Sequence, residues 1–145
     1  MVSIVNEVTT TKPRAVAGRF REWGKSLRSV DDDIRSLTLT VFSRMKKEFA
    51  GVNEKTRGRY DCFYIGKPSS KSVFVAFRVN QKSLAIRIRT NSTFKDGKEW
   101  TQNRAYRNWF FTKDQEREFK ITDKSDIDYA ISLISQSYLL VRTRL

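Results

Sequence analysis

The sequence has no histidine and only one cysteine among its 145 residues. Without histidine the chain lacks the commonest general base, the Ser-His and Cys-His nucleophile pairs, and zinc sites that require imidazole. A single cysteine, Cys62, excludes an internal disulfide, and the apolar run YDCFYI around it predicts a buried, inert thiol. We therefore expect a cytoplasmic protein that has no metal site and is not an enzyme.

Glycine and long apolar runs are scarce as well. The six glycines never fall into the phosphate-binding spacings G-x-G-x-x-G or G-x-x-x-x-G-K, so we expect no nucleotide cofactor, or cofactor of any other kind. No apolar run approaches the roughly 18 residues of a membrane span, and the N-terminal stretch does not resemble a signal peptide. We therefore expect no membrane partner.

Acidic residues are the third scarcity, since 29 Lys and Arg stand against 16 Asp and Glu, a net charge of +13. The excess is local: residues 57–120 hold fifteen basic and six acidic residues, whereas residues 31–54 hold four and five. Such an excess is typical of proteins that bind polyanions. A hydrophobic fraction of 39% argues against disorder, and the length fits a single domain over residues 1–145, with residues 1–11 as a tail or an edge strand.

Apolar residues at helical spacing predict three helices. These lie near residues 13–28, 31–50 and 125–140. Pro13 suits the first turn of the first helix, and Asp31 opens a run of three acidic residues at the positive end of the second. Gly51 follows the second helix as a stop signal, and Ser125 with Asp128 forms a capping pattern at the start of the third.

Alternating apolar and polar residues predict the strands of an antiparallel sheet with three to five members. The candidate segments are residues 60–65, 73–79, 84–90 and 117–121. Strict alternation would place Phe74 and Arg78 on the outer face with Arg87 and Arg89, and Val73 on the inner face. The predicted fold class is therefore α+β, with the sheet packed by the second and third helices and the first helix additional.

Residues from about 34 to 138 resemble a small family of uncharacterised α+β domains, found alone or downstream of restriction-endonuclease-like modules and sometimes labelled predicted transport proteins. The segments that carry the resemblance are DIRSL at 33–37, YDCFY at 60–64, VFV at 73–75, LAIRIR at 84–89 and SDIDYAISLISQSY at 125–138. The resemblance implies a module that accompanies nucleic-acid enzymes and has no established activity. It implies no functional residues, and the loop at 91–108 departs from the family pattern.

Charge and aromatic content together predict a non-catalytic module that binds DNA or RNA through the phosphate backbone. The candidate binding residues are Arg57, Arg59, Arg78, Arg87, Arg89, Lys95, Lys98, Trp100, Arg104 and Arg107. Arginine favours planar, bidentate phosphate contacts, and exposed aromatic rings stack on unpaired bases. The sheet part of this hypothesis depends on exposure, because Arg87 and Arg89 could instead form an internal ion-pair layer with carboxylates on a helix that covers the sheet.

Three other functions fit the same sequence. One is a purely structural component of a larger nucleoprotein assembly. A protein-interaction module would use the basic surface to recognise an acidic partner protein. A magnesium-dependent nuclease would use Glu118 and Lys120, the one Glu-x-Lys in the chain, with Asp61 or Asp96 as the second carboxylate. An ordinary strand with alternating surface charges explains Glu118 and Lys120 better, so the nuclease is the weaker hypothesis.

Overall fold

The computed structural model describes residues 30–103 and 115–145, which form a six-stranded antiparallel sheet with two helices packed on one face. The helices are α1 (Asp32–Glu48) and α2 (Ile127–Arg144), and the strands are β1 (Val52–Arg57), β2 (Tyr60–Ile65), β3 (Val73–Val79), β4 (Leu84–Thr90), β5 (Gln102–Asn103) and β6 (Gln115–Ile121). The α+β class is confirmed. The predicted helix near 13–28 and the segment 1–11 lie outside the described residues.

Helix α1 follows the predicted pattern closely. Its buried side chains recur every three or four residues. Acidic residues lie in its first turn and basic residues in its last turn. Both placements interact favourably with the helix dipole and so stabilise the helix. Gly51 lies just beyond the end with φ 72°, a left-handed conformation that costs glycine little. The chain then reverses directly into β1.

Helix α2 starts two residues later than predicted, after a single 3-10 turn at Lys124–Asp126. Asp123 caps that turn: its side chain accepts from the Ser125 backbone N–H at 3.0 Å, while the Asp126 carboxylate accepts from Asp123 N–H at 3.2 Å. The cap is therefore an Asp123–Asp126 box, and the predicted pattern of Ser125 with Asp128 is wrong.

The strand order is β1-β2-β3-β4-β6-β5, with every pairing antiparallel. The four predicted strands are present, whereas β1 and β5 were not predicted. Strand β1 has the sequence VNEKTR, in which Val52 is the single apolar residue, so no apolar alternation marks it. Strand β5 is two residues long, below what periodicity detects.

A bulge in β3 reverses part of the predicted face assignment. Phe63 pairs with Val75 and Tyr64 with Val73, so Phe74 is an extra residue on β3. Phe74 therefore points to the helices and packs on Tyr138 at 5.2 Å between ring centroids, while Val73 joins the opposite face. Strict alternation predicted the reverse for both residues.

Two groups of buried residues lie on the two faces of the sheet. The larger fills the space between the sheet and both helices and contains most of the phenylalanines. The smaller consists of Tyr60, Cys62, Tyr64, Val73 and Ala76, on the face opposite α1 and α2, here called the second face. Neither α1 nor α2 combines the length and the apolar character of a membrane-crossing helix.

Candidate nucleic-acid interface

The fold distributes the predicted binding residues over three separate places. Arg57, Arg59 and Arg78 lie at one end of the sheet, Arg87 and Arg89 are buried within it, and Lys95, Lys98 and Trp100 belong to the loop between β4 and β5. Arg104 and Arg107 lie outside the described residues. The predicted single surface is therefore not formed by the described members of the set.

Arg87 is buried in an ion-pair cluster on the second face. Its Nη1 lies 3.4 Å from Glu116 Oε2 and its Nε donates to Glu118 Oε1 at 3.1 Å. Its guanidinium carbon is 4.9 Å from the centre of the Tyr60 ring. Only 8% of Arg87 is exposed, so the exposure on which a phosphate contact at this position depended is not met.

Arg89 is buried too, at 4% exposure, and its guanidinium donates to the backbone oxygens of Lys71 at 3.2 Å and Ser70 at 2.7 Å. These bonds hold the β2–β3 loop against β4. Arg89 therefore has a structural role here, and the condition of exposure is not met at this position either. Tyr64, in the buried group on the same face, is 5% exposed, and this burial raises its pKa to about 12.

The acids that pair with Arg87 come from β6, and the strand register explains why. Arg87 pairs with Glu118 and Arg89 with Glu116, and directly opposed residues share a face. The hypothesis of an internal ion-pair layer placed these acids on a covering helix. Alternation along QEREFKI of β6 was the sequence feature that could have located them.

One row of residues crosses the second face at the end where β3 turns into β4. Arg57 pairs with Tyr60, Arg78 with Ala85, and Ala85 with Lys120. Tyr60 and Arg78 come next to the last residue pair between β2 and β3, so they also lie opposite each other. We call the five residues Arg57, Tyr60, Arg78, Ala85 and Lys120 the basic row. Four strand spacings of about 4.8 Å separate its ends, so it spans roughly 19 Å.

A groove of about 440 Å³ opens along the basic row. Its lining includes Arg78 and Lys120 from the row, Lys82 from the β3–β4 turn, and Arg87 with Glu118 from the next row. Four cations thus surround one carboxylate. Lys82 was not among the predicted binding residues, although its position in a three-residue link next to Arg78 placed it near that residue.

The outer cations of this region are available to a ligand. Arg59, Lys82 and Lys120 are exposed and Arg78 is half-buried. None of these four forms an ion pair with another residue in ranges 30–103 and 115–145. Clustered cations without carboxylate partners create a positive potential that attracts anions.

The loop between β4 and β5 lies on the helix side of the sheet, where α2 holds it. Lys95 exchanges two backbone hydrogen bonds with the Gln136 side chain, at 2.9 and 2.7 Å, and Lys98 N–H donates to the Tyr129 hydroxyl at 2.9 Å. Trp100 is half-buried, with its ring 4.6 Å from Tyr129 between centroids. The Trp100 ring thus packs on the core cluster between the sheet and the helices.

Asp96 fixes the same loop internally. Its carboxylate accepts from the Tyr129 hydroxyl and, at 2.7 Å, from Thr101 N–H. Burial opposes the charge of Asp96, but hydrogen bonds from Tyr129, Thr101 and Trp100 outweigh that effect and lower its pKa. The turn after Asp96 is closed by Glu99 N–H to Asp96 O at 3.0 Å, and no described strand flanks it directly.

The residues named for a nuclease do not come together in the described part of the chain. Asp61 pairs with Phe77, on the helix face, whereas Glu118 is on the second face. Asp96 is committed to Tyr129 and Thr101. Within residues 30–103 and 115–145 no three acidic or cysteine side chains are grouped to hold a metal ion.

Comparison with protein-family models, with curated proteins and with solved structures found no match to this chain.

Proposed function

We propose that this protein binds nucleic acid without catalysis, and that the basic row and its adjoining turns contact the phosphate backbone. The observation that carries the proposal is the set of outer cations, Arg59, Arg78, Lys82 and Lys120, which have no acidic partner in the described ranges. Cations that serve only to hold the fold together are paired inside it, as Arg87 is.

The row suits a chain of phosphates because its charges are spaced along a line. Arg78 and Lys120 are two strands apart, about 10 Å, and Arg57 lies the same distance beyond Arg78. Each phosphate that such a cation neutralises releases condensed counterions, which is the main source of sequence-independent affinity. The planar guanidinium of Arg78 suits bidentate contacts to phosphate. Because the Arg78 side chain is half-buried, it loses less conformational entropy on binding.

Base readout is expected to be weak. Tyr60, the aromatic member of the basic row, is 5% exposed, so it offers no face for stacking on a base. Trp100 packs on Tyr129 and Phe119 on the other side of the sheet. Contacts to phosphate fix position and carry no sequence information, which predicts similar affinity for unrelated sequences.

The test is a fluorescence-anisotropy titration of labelled DNA and RNA at four or more salt concentrations. The double variant Arg78→Ala/Lys120→Ala removes two proposed phosphate contacts, so the slope of log K against log salt should fall by roughly 1.4 to 1.8. Lys47→Ala/Arg142→Ala is the matched control. It removes one arginine and one lysine from the far ends of α1 and α2, and it should leave the slope within about 0.5 of the wild type.

No binding at low salt, or binding without a salt slope, would reject nucleic acid as the ligand. Equal slopes in the two double variants would reject the basic row as its contact surface. A protein partner that survives nuclease treatment in a pull-down, and is lost in Arg78→Ala/Lys120→Ala, would favour recognition of an acidic protein surface instead.

A further inference from the structure

One acidic side chain, Glu118, lies among the cations of the groove. Arg78, Lys82, Arg87 and Lys120 line the same space of about 440 Å³. A carboxylate repels phosphate and accepts hydrogen bonds. The part of a ligand that lies at Glu118 must therefore be a hydrogen-bond donor, while its anionic part lies at the cations.

The contact with Arg87 holds the Glu118 side chain in position. Its Oε1 accepts from Arg87 Nε at 3.1 Å, and Arg87 is itself held by Glu116, which has no exposed surface. The Glu118 side chain is 18% exposed, so part of it still reaches the groove. A carboxylate has about four lone-pair sites on its two oxygens, so it can accept from Arg87 and from a second donor at the same time.

The groove offers little for a base. Tyr60 is the aromatic residue in its described lining, and the ring of Tyr60 is buried and already contacts the Arg87 guanidinium. Without a stacking surface, recognition falls on sugar and phosphate. Glu118 and Lys120 are two residues apart on the same face of β6, about 7 Å, so one nucleotide unit can reach both.

Building on the nucleic-acid binding proposed above, we propose that Glu118 accepts a hydrogen bond from a ribose 2′-hydroxyl while Arg78 and Lys120 hold the adjoining phosphate. The 2′-hydroxyl is the donor that RNA has and DNA lacks. The site therefore selects RNA over DNA of the same sequence, by the sugar alone.

The first test compares three strands of one sequence, about ten nucleotides long, made as RNA, DNA and 2′-O-methyl RNA. RNA should bind about tenfold more tightly than DNA, the effect of one hydrogen bond to a charged group. The 2′-O-methyl strand keeps the RNA backbone but has no donor, so its affinity should match that of DNA. This comparison needs no substitution in the protein.

The second test uses Glu118→Ala with Glu48→Ala as its control. Both remove one negative charge, and Glu48 lies at the end of α1, on the other side of the sheet. Glu48→Ala should bind every strand slightly more tightly and keep the RNA-to-DNA affinity ratio. Glu118→Ala should bind DNA more tightly but lose the hydrogen bond to RNA, so its RNA-to-DNA affinity ratio should be close to one. Rescue by Glu118→Gln, which keeps an acceptor oxygen, would support the hydrogen bond.

Equal, salt-dependent affinity of the wild type for RNA and DNA would overturn this inference while leaving the proposed function intact. Equal affinity for RNA and 2′-O-methyl RNA would overturn it as well. Absence of binding to all three strands would reject the proposed function itself.

Discussion

Arg78 and Arg87 lie on the same face of neighbouring strands, one row apart, and yet their surroundings are opposite. Arg87 is buried, with two carboxylates and an aromatic ring around its guanidinium. Arg78 is half-buried at the end of the sheet and has no ion pair within residues 30–103 and 115–145. Two arginines on the same face of the sheet therefore differ in both burial and ion pairing.

The difference comes from the strand beside them. Glu118 stands opposite Arg87 on β6, whereas Lys120 closes the row that contains Arg78. On this face of β6, the acidic residue Glu118 is followed two residues later by the basic residue Lys120. Alternation in a strand therefore tells which face a charge occupies, while its partners depend on the register with another strand.

The contrast between Arg78 and Arg87 can be tested by truncating each arginine in turn and measuring the free energy of unfolding. Arg87→Ala removes the cation that pairs with the buried carboxylate of Glu116, and removing one partner of a buried pair costs about 3 to 5 kcal/mol. Arg78→Ala should cost less than about 0.5 kcal/mol, as surface changes do. Urea denaturation measures both, and equal losses would contradict the contrast between them.

A second expected effect on stability concerns the bulge at Phe74 in β3. Ser137 Oγ donates to Phe74 O at 2.5 Å and accepts from Arg89 N–H at 2.9 Å, so it bridges β3 and β4 where the bulge occurs. Ser137→Ala leaves both buried groups without this partner, and we expect a loss of about 2 kcal/mol in unfolding free energy. Ser132→Ala, on the exposed side of α2, is the control and should change it little.

These two cases show how far the sequence alone could go. The four strands with apolar alternation and both described helices were predictable, because periodicity reports burial directly. The bulge at Phe74 was not, since it depends on pairing with β2 and on Ser137, sixty-three positions away. The exposure of Arg78 and the burial of Arg87 depend on β6, whose register no local pattern records.

The smallest expected effect on stability concerns Asp96, in the loop that carries Lys95 and Lys98. Folding lowers the pKa of Asp96 below its unfolded value of about 3.9, so its hydrogen bonds stabilise the loop fully above that value. This stabilisation is lost as the pH falls through the lower, folded-state pKa. Asp96→Asn should therefore cost about 1 kcal/mol at pH 7 and less near pH 3.

The control for that measurement is Glu99→Gln, an exposed residue of the same loop. Glu99→Gln should change the free energy of unfolding by less than about 0.5 kcal/mol at pH 7. Nucleic-acid affinity of Asp96→Asn at neutral pH should be close to that of the wild type, because the loop lies on the helix side of the sheet. A large loss of affinity would instead return Lys95 and Lys98 to the binding surface.

Lysine footprinting tests most directly whether the exposed end of the sheet contacts nucleic acid. Trace acetylation with and without an oligonucleotide at low salt, read by mass spectrometry, compares lysines that are all exposed. We predict that Lys82 and Lys120 lose reactivity on binding, while Lys47, Lys95 and Lys98 do not. Protection of Lys95 and Lys98 with Lys82 and Lys120 unchanged would show that nucleic acid binds at the loop instead.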